Sequence, residues 1–425
     1  MATTGFAALE HELRHALNDE LHARPPVPLA TPVEAVHIAV LSSESEAEAD
    51  SARVAALCRS YGIAAPPAGA RHHSAVLGPT RIKWERHTEF STVTLFRAPD
   101  APEDGRLLQQ WLRALPGRLL VAARGEVRRG DEGLDEATLS DYFRGEAYVG
   151  SLAADGWAKV WTDFRIRPDG FTRILVADRG MGPRKAGRVL QRLFEIETYR
   201  MMALLALPAM QRIRPELSLI EERLGRITGT AVARHALDAE RVLLAELGDV
   251  AARTEAVANR TGYRLAASRA YYAIVRRNIA ELREQRLEDL QTVGEFLDRR
   301  LAPAMRSCEA AAARHEALSQ RIARATSLLR TRVDVALEGR SQALLQEMHG
   351  QAGQQLRLQE TVEGLSIVAI GYYAVGLLGV LLQPLYELYG LPYPLLKAAA
   401  VPLVLLVAWA GMRRLKRRAL AHAGG

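Results

Sequence analysis

Two long apolar runs near the C-terminus constrain this chain more than any other feature of its sequence. Residues 365–382 form eighteen consecutive positions without a charge, which meets the lower length limit for a helix that spans a bilayer. A connector covers residues 383–394, and a second run covers residues 395–412 with Lys397 as its one charge. The pattern predicts a C-terminal hairpin of two transmembrane helices in a lipid bilayer. The alternative is a buried helical hairpin of a soluble protein.

The charges that flank these runs predict the orientation. The second run is followed by five bases, namely Arg413, Arg414, Lys416, Arg417 and Arg418. The connector carries one acid, Glu387, and no base, so the positive-inside rule places the C-terminus in the cytoplasm. Two spans return the N-terminal body to the same side, and residues 1–12 contain no apolar core of signal-peptide length. We therefore expect a multi-pass protein of the bacterial inner (plasma) membrane with cytoplasmic N- and C-termini.

Charge and cysteine content exclude little else. The net charge is +7, and the basic residues are mixed with Glu along predicted helices, so we interpret them as solvated faces and expect no nucleic-acid partner. Cys58 and Cys308 lie far apart and in no metal-like spacing, which excludes a disulfide framework and favours a reducing compartment.

The rest of the chain divides into three predicted parts. Residues 1–182 mix strand and helix patterns and predict an α/β cytoplasmic domain. The strands are predicted at residues 33–41, 71–77, 81–96, 119–123, 157–166 and 171–176, and a helix at 44–61. Residues 183–327 are rich in Ala, Leu, Arg and Glu and predict a helical bundle, with turns at 225–230 and 259–262. Residues 328–364 predict a stalk helix, and 365–425 the two transmembrane helices with a basic cytoplasmic tail.

A heptad seam leads into the first apolar run. Its positions are spaced by 7 and then alternately by 4 and 3 residues, and they are Leu337, Leu344, Met348, Gln351, Gln355, Leu358, Val362, Leu365 and Ala369. The spacing predicts one helix over residues 328–382, about 80 Å long at 1.5 Å per residue. Gln351 and Gln355 would set the register of a homo-oligomeric stalk, whereas the alternative is packing of the seam against the protein's own bundle.

The long strand predicted over residues 81–96 carries the strongest candidate chemistry. Alternation places one set on one face, namely Lys83, Glu85, His87 and Glu89. The opposite face then holds Ile82, Trp84 and Phe90. A two-residue turn at Gly78-Pro79 would put His72 opposite Glu85, and a slip of one residue would replace His72 with His73. Such a face could bind a divalent cation or transfer a proton, and the alternative is a salt-bridged, solvated sheet face.

Other motifs carry weaker signals. Residues 180–187 place three glycines around the start of a helix that follows a strand, where phosphate can bind, but they match neither a Walker loop nor a dinucleotide fingerprint. Ser, Cys and His form no recognised nucleophilic pattern, so the sequence gives an enzyme little support and leaves any cofactor unknown.

Three stretches resemble a family of uncharacterised membrane-anchored proteins of proteobacteria, which is defined only as a domain of unknown function. They are ELHARP at residues 20–25, IKWERHTEFST at 82–92 and QETVEGLSIVAIGYYAVGL at 359–377. The resemblance covers nearly the whole chain and implies the membrane-anchored architecture above. It implies no activity.

A looser, architectural resemblance is to CorA-type magnesium channels, whose stalk helices line a pore. Their Gly-Met-Asn signature at the end of the first span is absent, and residues 386–390 read YELYG instead. This resemblance leads to one hypothesis, an oligomeric membrane protein that conducts an ion. The stalk axis or pore would be lined by Gln351, Gln355, Ser366, Ala369, Gly376 and Gly379, with Glu387 at the periplasmic mouth. The rivals are a membrane-tethered cytoplasmic scaffold or sensor, and a metal-dependent enzyme that uses the His87 face.

Overall fold

The computed structural model describes residues 10–22, 25–102, 111, 113–233, 236–389 and 393–422. An N-terminal α/β part is followed by helices, of which the penultimate is very long and the last is short. In chain order, the elements are α1 (Arg14–His22), β1 (Val33–Leu41), α2 (Glu44–Ser60), β2 (His72–Leu77), β3 (Thr80–Arg86), β4 (Phe90–Arg97), β5 (Arg118–Arg129), α3 (Glu136–Tyr142), β6 (Val149–Ala153), β7 (Ala158–Thr162), β8 (Thr172–Asp178), α4 (Pro183–Leu204), α5 (Ala206–Ala233), α6 (Leu237–Leu282), β9 (Gln285–Arg286), α7 (Val293–Tyr389) and α8 (Tyr393–His422).

The strands form one twisted layer in the order β2-β3-β4-β1-β5-β8-β7-β6-β9. The β5–β8 pair is parallel, and the other pairs are antiparallel. β1 lies inside the sheet because its sequence, VEAVHIAVL, supplies apolar side chains to both faces, and a strand covered on both faces needs that composition. The predicted α/β class of the N-terminal region is confirmed.

Helices cover both faces of the sheet. On one face, Val54 and Leu57 of α2 pack against Ile82, Trp84 and Val93 of β3 and β4. On the opposite face, α4 packs its own apolar stripe against β1, β5 and β8. That stripe includes Val189, Leu190, Leu193 and Phe194. Because β3 and β4 face α2 with one set of side chains, their alternate side chains point towards α4.

The predicted strand over residues 81–96 is wrong in one respect, because the chain reverses in its middle. β3 ends at Arg86 and β4 starts at Phe90, and the His87 N–H donates to the Phe90 carbonyl at 2.8 Å to close a tight turn. The segment is therefore a hairpin, which moves Phe90 to the same face as Lys83 and places Glu89 in the turn. The other predicted hairpin, at Gly78-Pro79, is confirmed.

The turns predicted inside the helical region are also wrong. Helix α5 runs through residues 225–230, and α6 runs through residues 259–262. Helix α6 keeps a stripe of buried residues across its expected turn, and the buried stripe of α5 reaches into its expected turn as far as Ile227. In α5 the stripe is Leu217, Ile220, Leu224 and Ile227, and in α6 it is Leu247, Val250, Thr254, Val257 and Thr261. Packing of these stripes outweighs the cost of the helical glycines, which is about 1 kcal/mol each for Gly225 and Gly229 in α5 and Gly262 in α6.

Helix α7 contains 97 residues and has a capped start. The Glu295 N–H donates to Thr292 Oγ1, and the Thr292 N–H donates to Glu295 Oε2, both at 3.1 Å, which is a capping box. The predicted stalk helix is thus continuous with the apolar run, and it extends further at both ends. The chain divides into two compact units, one of residues 1–233 and 245–326, the other of residues 234–244 and 327–425. The predicted four-part division remains a prediction.

In the second unit, every residue from 337 to 362 is exposed. Further along, α7 and α8 approach closely, because a Cβ placed on Gly371 would lie 2.8 Å from Leu405 Cδ2. Among the described residues, one helix, within Val293–Leu381, is long and apolar enough to cross a membrane, with a mean hydropathy of 2.0 in its best 18-residue window. Ala398–Gly411 is a shorter apolar helix. The two-span topology and the cytoplasmic termini remain predictions.

Candidate functional site

A polar cavity of about 230 Å³ lies between the sheet and α4. The sheet side is formed by β1, β3, β4 and the β3–β4 turn, and α4 forms the other wall. The lining side chains are His37, Lys83, Glu85, His87, Phe90, Thr92, Thr94, Gln191, Phe194, Glu195, Thr198 and Tyr199. The cavity therefore combines charged, hydroxyl, amide and aromatic groups, a mixture typical of a site that orients a small ligand.

Strand register places the sheet residues of the cavity in two rows. Thr94 pairs with Lys83 on one side and with His37 on the other, so these three side chains form one row across β3, β4 and β1. Glu85 pairs with Thr92 in the next row of the same face. Since side chains of paired residues lie on the same face of a sheet, the register alone explains why these groups converge.

Helix α4 supplies the opposite wall through polar residues at helical spacing. Gln191, Glu195 and Thr198 follow one another at intervals of 4 and 3 residues, which places them on one face of the helix. Leu190 and Phe194 flank them and are buried in the main core. The apolar neighbours fix the helix on the sheet, and the polar residues are thereby held against the cavity.

His37 is the most deeply buried ionisable group of the site. Its Nδ1 lies 2.8 Å from Thr94 Oγ1, its Nε2 lies 2.9 Å from Thr198 Oγ1, and its ring stacks on Phe194 at 4.8 Å between centroids. Burial, followed by the positive charges of Lys83 and His87, lowers the pKa of His37 from 6.5 to about 3. The imidazole is therefore neutral near pH 7, and both of its nitrogens are engaged by hydroxyl groups.

Lys83 begins a polar chain that crosses the cavity. Its Nζ lies 3.0 Å from Glu85 Oε1 and donates to Gln191 Oε1 at 3.3 Å. The Gln191 amide donates to Glu195 Oε1 at 2.7 Å, and the Asn278 amide of α6 donates to Glu195 Oε2 at 2.9 Å. Lys83 is 7% exposed, so its ammonium depends on these partners for solvation.

Aromatic rings close one end of the cavity. The His87 ring stacks on Phe90 with 4.3 Å between centroids, and Tyr199 stands edge-on to both rings. Tyr199 in turn stacks on Tyr271 of α6 at 5.6 Å. Burial, followed by the negative charge of Glu89, raises the pKa of Tyr271 to about 12, so its hydroxyl stays protonated.

The structure separates the residues that alternation had grouped. Lys83, Glu85 and His87 line the cavity, and the predicted register of His72 opposite Glu85 is confirmed. His72 itself is exposed and lines a second, open pocket with His73, and this pocket shares Lys83 with the cavity. Glu89 lies in the turn, where its Oε2 accepts a hydrogen bond from Arg264 at 2.7 Å. In the described part of the chain, no group of three or more His, Cys, Asp or Glu side chains could hold a metal ion.

The residues predicted along the stalk and pore all lie in α7. Gln351, Gln355, Ala369 and Gly376 are exposed and Gly379 is buried. The Ser366 hydroxyl donates to the carbonyl of Val362 at 2.8 Å, within its own helix. Glu387 is in the last turns of α7, and its side chain lies outside the described residues. Their predicted roles stay predictions.

Sequence reasoning missed the half of the cavity that does not come from the β3–β4 hairpin. His37 is the one polar residue between Ala35 and Leu41 of β1, which was an available signal. The helical spacing of polar residues along α4 was a second signal, since Gln191, Glu195 and Thr198 lie beside the buried apolar residues Leu190, Leu193 and Phe194. Neither signal indicates which strand the helix covers, so the site itself required the fold.

Comparison with known proteins gives a family and no activity. A family model described as "Protein of unknown function (DUF3422)" matches residues 9–419, nearly the whole chain. No curated protein matches significantly. The looser resemblance to CorA-type channels finds no support in these comparisons. The chain belongs to this family of proteins of unknown function, in agreement with the resemblance carried by ELHARP, IKWERHTEFST and the segment that enters the apolar run.

Proposed function

We propose that this protein is a membrane-tethered binding protein, and that its body senses a small polar solute in the cavity beneath α4. The observation that carries the proposal is the cavity itself. A buried lysine, two histidines, two glutamates, three threonines and a glutamine surround about 230 Å³ of space. This volume lies below the roughly 300–1,000 Å³ of pockets for drug-sized ligands, so the site suits a smaller solute.

The polar contacts favour binding over covalent chemistry. His37 is neutral and holds hydroxyl groups at both nitrogens, so it has no free position to accept a proton from a nucleophile. Lys83 is held by Glu85 and Gln191. Cys58 and Cys308 are buried and absent from the cavity lining. Groups arranged in this way supply directional hydrogen bonds to a ligand, which is the requirement for specific recognition.

The tether is the apolar end of α7, together with α8. On the proposed topology both helices cross the inner membrane, and the basic residues in the C-terminal part of α8 remain in the cytoplasm with the body. One apolar helix of sufficient length supports the association with a membrane. Topology reporters fused after Gly425 and next to Glu387 should report opposite sides of the membrane, and reports from the same side would exclude two spans.

Solute binding is tested by thermal unfolding of the full chain in nanodiscs with a panel of amino acids, hydroxy acids and polyols. The test variant combines Lys83→Met with Glu85→Gln, which removes both charges of the cavity pair together. The control combines Lys159→Met with Asp131→Asn, which removes a 2.7 Å ion pair outside the cavity. A solute that stabilises the wild type and the control, but not the cavity variant, supports the proposal. A stabilisation retained in the cavity variant, or none across the panel, contradicts it.

A second proposal is favoured by the exposed part of α7, and it is compatible with the first. Residues 337–362 are all exposed, although they include Leu344, Met348, Leu358 and Val362 of the heptad seam. Charged residues such as Glu347 and Arg357 are interspersed, so lipid is a poor cover for this segment. We infer that a second copy of the chain covers it in a parallel assembly, because the seam continues without a phase break into the apolar run.

The two seam glutamines test this assembly. Buried amides without partners cost about 1–3 kcal/mol each, and in a symmetric assembly Gln351 and Gln355 of neighbouring chains can pair with each other. Replacing both by Leu should change the oligomer number or its stability, measured by native mass spectrometry from nanodiscs. A monomer for both proteins would contradict the assembly. If the assembly also conducts cations, Glu387→Lys should reduce the flux and leave the oligomer intact.

A further inference from the structure

A second polar pocket shares no lining residue with the α4 cavity. It is an open pocket of about 410 Å³ lined by Arg144, Glu146, Arg165, Ile166, Arg167 and Pro168. Arg144 and Glu146 follow helix α3, and the other four residues belong to the loop between β7 and β8. Two segments that are distant along the chain thus bring three arginines to one concave surface.

The β7–β8 loop is fixed from inside by Asp163, which is buried. Its Oδ1 accepts the Arg165 backbone N–H at 3.2 Å, and its Oδ2 accepts a hydrogen bond from Arg167 Nη2 at 2.5 Å. The Arg167 N–H donates to the Phe171 carbonyl at 2.9 Å. The loop therefore presents its arginines from a preorganised backbone, which limits the entropy lost when a ligand binds.

The arginines retain unused hydrogen-bond donors. Arg167 is 7% exposed, and its Nε is buried without a hydrogen-bond partner. Arg165 contacts Glu146 with one nitrogen, Nη1, at 3.0 Å. For Arg144, the described part of the chain provides no ion pair or side-chain hydrogen bond. Arg144 and Arg165 are exposed, so their remaining N–H groups can reach a ligand in the pocket.

We propose that this pocket binds a phosphate-type oxyanion. Three arginines against Glu146 and Asp163 leave an excess of one positive charge at the pocket. A phosphate group offers several acceptor oxygens in different directions, which suits guanidinium donors that converge from two segments. The phosphate could belong to a soluble anion or to a lipid headgroup, since both present the same group to the arginines.

The test is calorimetric titration of inorganic phosphate into the full chain in nanodiscs of zwitterionic lipid at low ionic strength. Arg144→Gln and Arg165→Gln should each weaken phosphate binding about tenfold, because each removes a charge-assisted hydrogen bond. Glu146→Gln should tighten it, because a competing negative charge is lost. Arg277→Gln is the matched control, since Arg277 is an exposed arginine on α6 outside the pocket, and it should leave the affinity unchanged.

Absence of saturable binding at millimolar phosphate would overturn the proposal, as would equal weakening by Arg277→Gln, which would indicate unspecific attraction to a basic protein. The source of the anion follows from a second titration in nanodiscs that contain phosphatidylglycerol. If lipid headgroups occupy the pocket, the apparent phosphate affinity of the wild type falls in these discs and that of Arg144→Gln does not. An unchanged wild-type affinity assigns the pocket to a soluble phosphate. Arg167 is left unaltered in these tests, because its loss would leave buried Asp163 without a counter-charge.

Discussion

Helix α6 and the 337–362 segment of α7 share a helical period and have opposite surroundings. Both carry an apolar residue every three or four positions, although α6 is rich in Ala and Arg whereas residues 337–362 contain six Gln, five Leu and two Ala. In α6, Leu247, Val250 and Val257 are buried, whereas Leu344 and Met348 of α7 are 62% and 59% exposed. Composition and period therefore predict a helix in both places, but they do not reveal which helix is completed by its own chain.

Glycines mark the same contrast. A Cβ on Gly187 of α4 would lie 1.9 Å from the Val27 carbonyl oxygen, so this residue allows the segment before β1 to pack directly on the helix. Gly339, Gly350 and Gly353 of α7 have no heavy atom within 4 Å of the same position beyond their chain neighbours and the nearby backbone of their own helix. The glycine in the body is required by a contact, and those in the exposed helix are not required by any contact within one described chain.

The strongest test of this contrast is Gly187→Ala. The added methyl group meets backbone rather than a mobile side chain, so the Val27 segment or α4 must shift, and we expect a loss of about 3 kcal/mol in the free energy of unfolding. The measurement is chemical denaturation of the full chain, followed by circular dichroism.

Gly225→Ala is the matched control for that experiment, because Gly225 lies inside α5 with no neighbour within 4 Å. The same change should there stabilise the protein by about 1 kcal/mol, since alanine has the higher helix propensity. Equal effects of the two substitutions would show that the contact between Val27 and α4 is not what requires glycine.

The next largest effect is expected at the seam of the exposed helix. Leu344→Glu should weaken the association free energy of the proposed assembly by about 2 kcal/mol or more per interface, because it places a carboxylate at a seam position. Leu356→Glu is the control, since Leu356 is equally exposed, at 63%, but lies off the seam. Sedimentation in detergent reads out the oligomer, and an identical response of the two variants would argue against a seam-mediated assembly.

The pH dependence of the unfolding free energy tests whether His37 is buried in the cavity. The pKa of His37 is lowered from 6.5 to about 3, so the unfolded chain binds more protons than the folded chain between these values. The stability gained from a neutral His37 is complete above pH 6.5 and is lost as the pH falls towards 3, by up to about 1.4 kcal/mol per pH unit.

His37→Gln should therefore flatten the decline of the unfolding free energy between about pH 7 and about pH 5, measured by urea denaturation. Asp50 and Glu284 have pKa values raised by burial, which makes stability rise as the pH falls, but both are present in the two proteins. The difference between the variants isolates His37, and parallel pH profiles would mean that its imidazole is accessible to protons in the fold.

The sequence predicts half of the cavity, because the two patterns that define this half, strand alternation and a tight turn, are local. Alternation along β3 separates Lys83 and Glu85 from Ile82 and Trp84, and the turn at Gly78-Pro79 sets the register of His72 against Glu85. Both are decided by neighbours within about ten residues. The long apolar run and the continuity of α7 are predicted for the same reason, since length and period are properties of the segment alone.

The other half depends on contacts between distant parts of the chain. The β3–β4 turn contains neither glycine nor proline, and Glu89 within it is held by Arg264, which lies 175 residues away in sequence. Gln191 reaches Lys83 across 108 residues, and Thr198 reaches His37 across 161. No local pattern contains these pairings. The turns predicted in α5 and α6 are wrong for the same reason. Packing of the buried stripe against other parts of the chain favours a continuous helix there.

The smallest predicted effect separates the two regions most cleanly. Gly353→Ala lies at an exposed position off the seam, so it should improve helix propensity by about 1 kcal/mol without altering the oligomer. Hydrogen exchange of amides around residue 353 should slow about fivefold, which corresponds to that free energy when exchange occurs by local opening. Amides of β1 provide the internal control, because a substitution in an exposed helix leaves the opening of the sheet unchanged. If exchange at residue 353 does not slow, another molecule already contacts this part of α7, and the methyl group of the alanine interferes with that contact. If β1 slows as well, the exposed helix and the body open together, and the contrast drawn from their surroundings does not extend to their stability.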